Sequence, residues 1–174
     1  MPKSEVRQAI ANYLDPTISG IAITSLSKVY QALPKINNEA ELFNLQPPGA
    51  GVGAVIYLFI HHQEEKPISI AQSFGGQKQR NYTVGLLCIF KSDLEVALDG
   101  QVAFDLFVDS LTGRIESGPF ANDPNTIFQW GEGDLSQGSS DLAFDFYIPK
   151  SMGGGVMLFQ ATGTVTAIEL LTMP

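Results

Sequence analysis

The sequence predicts an α+β fold, a mostly antiparallel twisted sheet with helices packed on one face. Three observations lead to this prediction. Strand-like segments come consecutively on each side of one central helical segment, rather than alternating with helices as they do around a parallel sheet. The chain has 174 residues and 44% hydrophobic residues, which suits one sizeable core. No repeat of fixed period and no low-complexity linker occurs, so residues 1–174 are predicted to form a single domain.

The N-terminal third predicts one clear helix and an irregular segment. SEVRQAIANYL has apolar residues at helical spacing and predicts a short helix that Pro16 ends. The next stretch, residues 18–35, is ambiguous. Its first part, through Ile23, is compatible with an extended chain, and residues 26–33 are compatible with a helix. Residues 34–53 are rich in loop-forming residues and predict an irregular segment.

Two strands follow in the middle of the chain. AVIYLFIHH (54–62) is β-branched and aromatic, and its continuous apolar character predicts burial on both faces. EEKP is expected to end this strand, so residues 63–80 predict a mobile hairpin tip. NYTVGLLCIFK (81–91) predicts the next strand. Its side chains expected on one face are Tyr82, Val84, Leu86, Cys88 and Phe90.

The C-terminal half begins with a change of period. LDGQVAFDLFVDSLTGRIES predicts a helix with Asp99 as its cap. The predicted core stripe of this helix is Ala103, Leu106, Phe107, Leu111 and Ile115. NTIFQWGEGD and DLAFDFYIP each predict a strand, and the stretch from Gly153 predicts one or two closing strands. The apolar face expected for DLAFDFYIP is Leu142, Phe144, Phe146 and Ile148.

The stretch PPGAGVGAVIYLF (47–59) has the glycine content of a phosphate-binding loop, but its elements come in the wrong order. A dinucleotide fingerprint places its glycines after a strand and at the start of a helix. Here Gly49, Gly51 and Gly53 precede a strand, and no G-x-x-x-x-G-K-[ST] motif occurs. We therefore predict no cofactor. The three glycines are interpreted as a hinge-like entry into a buried strand and as candidate interface residues for assembly.

Residue types used in catalysis and metal binding do not form a recognisable pattern. His61 and His62 are the only histidines, and neighbours on a strand point to opposite faces, so we predict no metal site. The single cysteine, Cys88, excludes an internal disulfide, and its apolar surroundings predict a buried, inert thiol. No G-x-S-x-G elbow occurs. The prediction is a protein that is not an enzyme and has no catalytic residues, with Trp130 in the core or at an interface.

The net charge of −8 is unevenly spread along the chain. Residues 1–48 sum to zero, residues 49–92 to +2 and residues 93–174 to −10. An acidic half argues against gripping nucleic acid through its phosphates, but it permits a surface past which DNA slides. Every apolar run is far shorter than the ~20 residues of a membrane helix. Because no secretory signal begins at Met1, we expect a protein made in a cytoplasm, without membrane contact.

The order of elements resembles the tail-terminator, or tail-completion, proteins of long-tailed bacteriophages and related neck and minor tail proteins. The resemblance is carried by SEVRQAIANYL, by the hairpin from AVIYLFIHHQEEKPISI through RNYTVGLLCIFKS, by the helix LDGQVAFDLFVDSLTGRIES and by the strands from NTIFQWGEGD. It is a likeness of pattern and length over the whole chain. Two features depart from it: segment 18–44 is long, and the strands after Gly153 extend beyond the minimal version of that fold.

This resemblance implies a tail-terminator-like subunit that assembles into a homo-oligomeric ring, usually of six. The ring would end growth of the tail tube at its head-proximal end and provide the surface for head attachment. Its partners would be the tail tube protein and head–tail connector proteins, with DNA passing through without specific binding. The location would be the virion tail or neck, after assembly in the host cytoplasm. Ring contacts need two different complementary surfaces, which we expect from the acidic C-terminal half and from Lys66, Lys78 and Arg80.

The residues leave a second interpretation open, a small-ligand-binding or enzymatic α+β domain. In that case aromatic strand residues would line a pocket with converging polar groups. The candidate pocket residues are Tyr57, Phe59, Phe144 and Phe146. The same side chains are also expected in plain core packing.

Overall fold

The computed structural model describes residues 3–33, 53–67, 77–93, 97–117, 120–123, 126–130 and 142–172. Three helices lie in these ranges: α1 (Lys3–Leu14), α2 (Pro16–Ser19) and α3 (Ala97–Glu116). The eight strands are β1 (Leu26–Tyr30), β2 (Gly53–Pro67), β3 (Gln77–Ser92), β4 (Phe120–Asp123), β5 (Thr126–Trp130), β6 (Ala143–Phe146), β7 (Lys150–Gly153) and β8 (Val156–Thr172). Of the predicted irregular segment 34–53, only Gly53 lies among the described residues.

One sheet joins all the described strands. Six of them follow one another in the order β1-β2-β3-β8-β5-β4, and β6 and β7 pair with earlier residues of β8. Every pairing is antiparallel except that of β1 with β2, which is parallel. A mixed, mostly antiparallel sheet with two substantial helices confirms the predicted α+β class.

β3 and β8 form the centre of the sheet. They pair along the whole length of β3, from Gln77 opposite Thr172 to Ser92 opposite Met157. β2 occupies the other edge of β3, and β5, β6 and β7 share the other edge of β8. The alternate residues of β3 predicted to share a face are all buried in one core cluster: Tyr82, Val84, Leu86, Cys88 and Phe90.

The larger core cluster lies between this face of the sheet and the two long helices. Helix α1 contributes Val6, Ala9, Ile10, Ala11 and Leu14, and helix α3 contributes Phe104, Phe107, Val108, Leu111 and Ile115. A smaller cluster occupies the opposite face and consists of Val55, Tyr57, Ile89 and Leu158. Neighbouring residues of β2 are therefore buried on both faces, as its continuous apolar sequence predicted. No helix among the described residues is long and apolar enough to span a membrane.

Helix α3 is rotated relative to the prediction. It begins at Ala97, so Asp99 lies in its first turn rather than at the cap, and Leu106 is 54% exposed instead of buried. Gly100 lies on the buried side of the helix, where a Cβ would lie 3.1 Å from the ring of Phe159. Leu106 lies on the other side and faces solvent.

The ambiguous stretch is resolved against a helix over residues 26–33, because residues 26–30 form strand β1. Val29 of this strand lies opposite Ile56 of β2, and its backbone N–H donates to the Asp15 carboxylate over 3.3 Å. The same carboxylate caps α2 by accepting from the Thr17 backbone N–H at 2.9 Å. Pairing with β2 and the buried carboxylate thus override the helical spacing of a short segment.

The prediction that EEKP ends the second strand is also wrong. β2 continues to Pro67 and β3 begins at Gln77, so both ends of the predicted tip at 63–80 are paired strand residues. The opposite charges of Glu65 and Arg80 face each other across this extension, which favours pairing over a loop. Residues 68–76 lie outside the described residues.

The closing stretch, predicted as one or two strands, forms the two strands of a tight hairpin. Gly153 lies opposite Val156, so β7 and β8 are joined by the two residues Gly154 and Gly155. Their φ angles are 63° and 79°. Positive φ at both loop residues is what a type I′ hairpin turn requires, and glycine adopts it without steric cost.

Gly85 of β3 leaves room for two aromatic rings on the face opposite the helices. The rings of Phe59 and His61 lie together over this glycine, with their centroids 4.4 Å apart, next to a register shift between Ile60 and His62. A Cβ at Gly85 would lie 2.4 Å from Cζ of Phe59. The two rings therefore pack directly on the backbone of the central strand.

Replacing Gly85 with alanine is expected to lower the free energy of unfolding by about 1–2 kcal/mol, because the added methyl group displaces the Phe59 ring. The control is Gly113→Ala in the interior of α3, where an added Cβ meets nothing within 4 Å. That change should leave stability unchanged or raise it by up to ~1 kcal/mol. Urea titrations of both variants test the difference, and equal effects would contradict the packing described for Gly85.

Candidate interaction surfaces

Arg80, one of the predicted interface residues, is engaged within its own sheet. Its Nε donates to Glu65 Oε2 at 3.0 Å, and its Nη1 lies 3.7 Å from Glu169 Oε2. Tyr82 donates its hydroxyl hydrogen to the same Glu169 oxygen at 2.6 Å. The three charged residues are direct cross-strand neighbours on β2, β3 and β8. Arg80 therefore balances two carboxylates of its own chain.

This polar network is buried at its centre. Glu169 and Tyr82 both have no exposed surface. Burial, followed by the hydrogen bond to the Glu169 carboxylate, raises the pKa of Tyr82 well above its ordinary value. The hydrogen bond that Arg80 donates to the Glu65 carboxylate is the main cause that raises the pKa of Arg80. The phenol stays neutral and the guanidinium charged, which is the arrangement that a buried carboxylate needs.

The other predicted interface residues are two lysines and three glycines, and they do not form one surface among the described residues. Lys66 lies opposite Gln79 and Lys78 opposite Pro67, so the structure brings both lysines to the same end of the β2–β3 hairpin as Arg80. Gly49 and Gly51 lie outside the described residues. Gly53 begins β2, with a φ of 142°, and a Cβ there would lie 3.0 Å from Ser27 Oγ. Gly53 therefore packs against β1 of its own chain.

The aromatic residues proposed as walls of one pocket lie on opposite faces of the sheet. Tyr57 belongs to the smaller cluster on the face without helices, where it stacks on Tyr30 with centroids 4.9 Å apart. Phe144 packs against the larger cluster, over Gly163 of β8. Because the sheet separates the two pairs, these aromatic residues do not line a common pocket.

The side of α3 that faces away from the sheet carries an apolar stripe. Leu98, Val102 and Leu106 follow one another at intervals of four residues and are 69%, 50% and 54% exposed. Four exposed carboxylates, those of Asp99, Asp105, Asp109 and Glu116, accompany them. We call these seven residues the α3 outer face.

Arg114, the basic residue in the last turn of α3, does not offset these acidic charges on the outer face. Its guanidinium lies 3.6 Å from the centroid of the Tyr13 ring, and its Nη2 donates to the Tyr13 carbonyl oxygen at 3.1 Å. The Tyr13 hydroxyl in turn donates to the Arg114 carbonyl oxygen at 2.8 Å. These contacts join the C-terminal end of α1 to that of α3, away from the α3 outer face.

Sequence reasoning missed the α3 outer face because it placed Leu106 in the core. The four-residue spacing of Leu98, Val102 and Leu106 was the available signal, since it marks a second apolar stripe besides the buried one. The predicted apolar face of β6 was also wrong at its end. Phe146 is 57% exposed, although its ring still contacts that of Phe104, and Ile148 is 89% exposed.

Three lysines lie on the sheet face opposite the helices. Lys91 and Lys150 are the cross-strand neighbours of Leu158 on its two sides, and Lys28 lies opposite Val55. Leu158 and Val55 both belong to the smaller core cluster of this face. We call Lys28, Lys91 and Lys150 the lysine face.

Two expectations about single residues are confirmed. Cys88 is fully buried, and this burial raises the pKa of its thiol to about 12. Trp130 is buried in the larger core cluster, with its ring 6.2 Å from that of Tyr13. In the part of the chain that the structure describes, no three His, Cys, Asp or Glu side chains are grouped so that they would hold a metal ion.

No protein-family model matches this chain, and no curated protein matches its sequence.

Replacing Glu169 with alanine is expected to lower the free energy of unfolding by about 2–4 kcal/mol. The change leaves the buried Tyr82 hydroxyl without its acceptor and Arg80 without its inner carboxylate. The control is Glu65→Ala at the exposed end of the same network, which should cost at most ~1 kcal/mol. Chemical denaturation of both variants tests this, and a larger cost for Glu65→Ala would contradict the arrangement.

The Cys88 thiol is expected to resist thiol reagents in the folded chain. With no exposed surface and a raised pKa, it should react with a disulfide reagent at pH 8 at least ~10³-fold more slowly than in the urea-unfolded chain. Absorbance of the released thiolate measures both rates. Rapid modification of a chain whose circular dichroism is native would show that Cys88 is accessible.

Proposed function

We propose that this chain is a virion structural protein, the subunit of a ring at the head-proximal end of a bacteriophage tail tube. The ring ends tube growth and provides the surface to which the head attaches. Its mechanism is binding. The tail-terminator-like version of the α+β fold, the six-membered ring and the location in the virion are parts of this proposal.

The observation that carries the proposal is the succession of elements around one sheet. An N-terminal helix, a long β2–β3 hairpin, a single long helix and a set of closing strands follow in the order of the resemblance, and α1 and α3 pack in one cluster. The α3 outer face adds support, because it exposes apolar side chains that are typical of binding surfaces. The enzymatic alternative loses its supporting observation, since the proposed pocket residues lie on both sides of the sheet.

The charge distribution fits a ring through which DNA passes without being held. Residues 93–174 carry a net charge of −10. Acidic surface repels phosphates, so the conduit would not retain the DNA during its passage. The proposal accordingly includes passage of DNA without specific binding.

The purified chain is expected to form a ring, either alone or in the presence of the tail tube protein of the same virion. Size-exclusion chromatography with light scattering gives the subunit number, and negative-stain images show whether rings sit at one end of the tubes. Adding the chain to polymerising tube protein should shorten the tubes in proportion to its concentration. An equal concentration of serum albumin, an unrelated acidic protein, is the control.

Two results would overturn this function. One is a chain that stays monomeric at high concentration and in the presence of tubes. The other is a tube-length distribution that the folded chain leaves unchanged, with no density at either end of the tubes.

A further inference from the structure

Strand β6 lies at an edge of the sheet and is exposed along most of its length. It pairs with β8 on one side, and no other strand among the described residues pairs with its outer side. Ala143, Asp145 and Phe146 are exposed, and Phe144 is half-buried. An open strand edge presents a row of backbone N–H and C=O groups, which is a template for pairing with a strand of another chain.

The pairing with β8 determines which backbone groups of β6 point outwards. The Tyr147 backbone N–H donates to the Gln160 carbonyl oxygen at 3.0 Å, so these two residues form a hydrogen-bonded pair. Hydrogen-bonded pairs alternate along an antiparallel ladder, so Asp145 also directs its backbone groups to β8. The backbone groups of Phe144 and Phe146 therefore point away from β8, towards the position of an added strand.

Exposed apolar side chains accompany this open edge. Phe146, Tyr147 and Ile148 are 57%, 51% and 89% exposed. Phe144 and Phe146 lie on the side of the sheet that carries the helices, with their ring centroids 6.2 Å apart, and Phe146 also contacts the Phe104 ring of α3. Proteins usually protect an open edge with charged residues or proline, so an apolar open edge indicates a contact surface.

Electrostatic repulsion limits how two copies of this edge can pair with each other. Because the outward backbone groups belong to even-numbered residues, an antiparallel pairing of two copies sets even-numbered residues opposite even-numbered ones. Setting Phe144 opposite Phe146 of the second copy would place the two Asp145 carboxylates directly opposite each other, which is destabilising. A shift by two residues sets Phe146 opposite Phe146 of the second copy and removes this clash of charges.

The shifted register also covers the most exposed apolar side chains. The two Phe146 rings meet at the centre, and Phe144 of each copy lies opposite Ile148 of the other. Asp145 lies opposite Tyr147, and the two Asp145 carboxylates become diagonal neighbours instead of direct ones. The edge of one copy is thus complementary to the same edge of a second copy in both backbone groups and side chains.

We infer that β6 pairs antiparallel with β6 of a second copy of this chain, with Phe146 opposite Phe146. This pairing joins the two sheets across a two-fold axis, so it is isologous and closes after two copies. A ring instead needs a head-to-tail contact between different surfaces. The β6 pairing is therefore an additional interface that goes beyond the proposed function and does not depend on it.

Single-cysteine variants test the pairing and its register. Cys88 is fully buried, so an added surface cysteine supplies the reactive thiol. Directly opposite strand residues have Cα atoms about 5.5 Å apart, within the range of a disulfide. Under mild oxidation Phe146→Cys should therefore form a disulfide-linked dimer at least ~10-fold faster than Leu33→Cys, a control position that is 50% exposed near the end of β1.

A mixed pair of variants tests the same register independently. Phe144→Cys and Ile148→Cys should each cross-link only as slowly as Leu33→Cys when alone, because four residues of extended strand separate each thiol from its copy by about 13 Å. Mixed in equal amounts, the two variants should form a disulfide-linked mixed dimer, since Phe144 lies opposite Ile148. Non-reducing gel electrophoresis and mass spectrometry measure the products.

A charged substitution measures what the apolar contact contributes. Phe146→Asp removes both central rings and sets two carboxylates opposite each other, so the dissociation constant of the dimer should rise at least ~10-fold. Leu33→Asp is the matched control and should leave this constant unchanged, because Leu33 is similarly exposed but distant in sequence from β6. Analytical ultracentrifugation gives both constants, and circular dichroism with urea titration establishes that each variant is folded.

The outcomes separate this inference from the proposed function. Phe146→Cys that cross-links no faster than Leu33→Cys, or rapid cross-linking in a mixture of Phe144→Cys with Phe146→Cys, overturns the inferred pairing while the ring function stands. Protection of Phe146→Cys from a maleimide by tail tube protein alone, without a dimer of the chain, assigns the edge to a different partner and also overturns it. Cross-linking in the expected pattern by a chain that forms no ring under any condition supports the pairing and overturns the ring.

Discussion

The pairing of β3 with β8 is the interaction on which the rest of the structure depends. Both strands are long, they pair along the whole of β3, and each offers its remaining edge to other strands. Alternate residues of β3 supply one wall of the larger core, against which α1 and α3 pack. Because side chains alternate between faces, shifting this pairing by one residue would move every core side chain of the shifted strand to the opposite face. The register therefore sets the positions of the helices, the edge strands and the surfaces they create.

The polar network along this pairing adds specificity to the register. Glu65, Arg80 and Glu169 are aligned across three strands, and the Tyr82 hydroxyl completes the environment of the buried carboxylate. A displaced register would leave Glu169 buried without these partners, at a cost of several kcal/mol. This arrangement also accounts for the length of β2, because opposite charges across the hairpin favour pairing where the sequence EEKP alone suggested a loop. The charge of Arg80 is therefore used within the subunit.

The two helices differ in how they use their surfaces. The apolar side of α1 is buried in the larger cluster, and its last turn is joined to α3 through Tyr13 and Arg114. Helix α3 is buried on one side and presents apolar and acidic residues on the other. Gly100 approaches Phe159 closely on the buried side of this helix, which also carries its five buried apolar side chains.

The sequence alone determined the fold class, the burial of β2 on both faces, the inward residues of β3 and the buried character of Cys88 and Trp130. These depend on periodicity and apolar content, which are local properties of the chain. Only the tertiary structure decided that residues 26–30 form a strand, because the parallel pairing with β2 and the Asp15 carboxylate lie far from them in sequence. The exposure of Leu106 was signalled in the sequence by its four-residue spacing from Leu98 and Val102, and the structure shows this stripe to be the outward one. The separation of the aromatic residues onto two faces was decided by the pairing of strands distant in sequence, which local pattern and spacing do not encode.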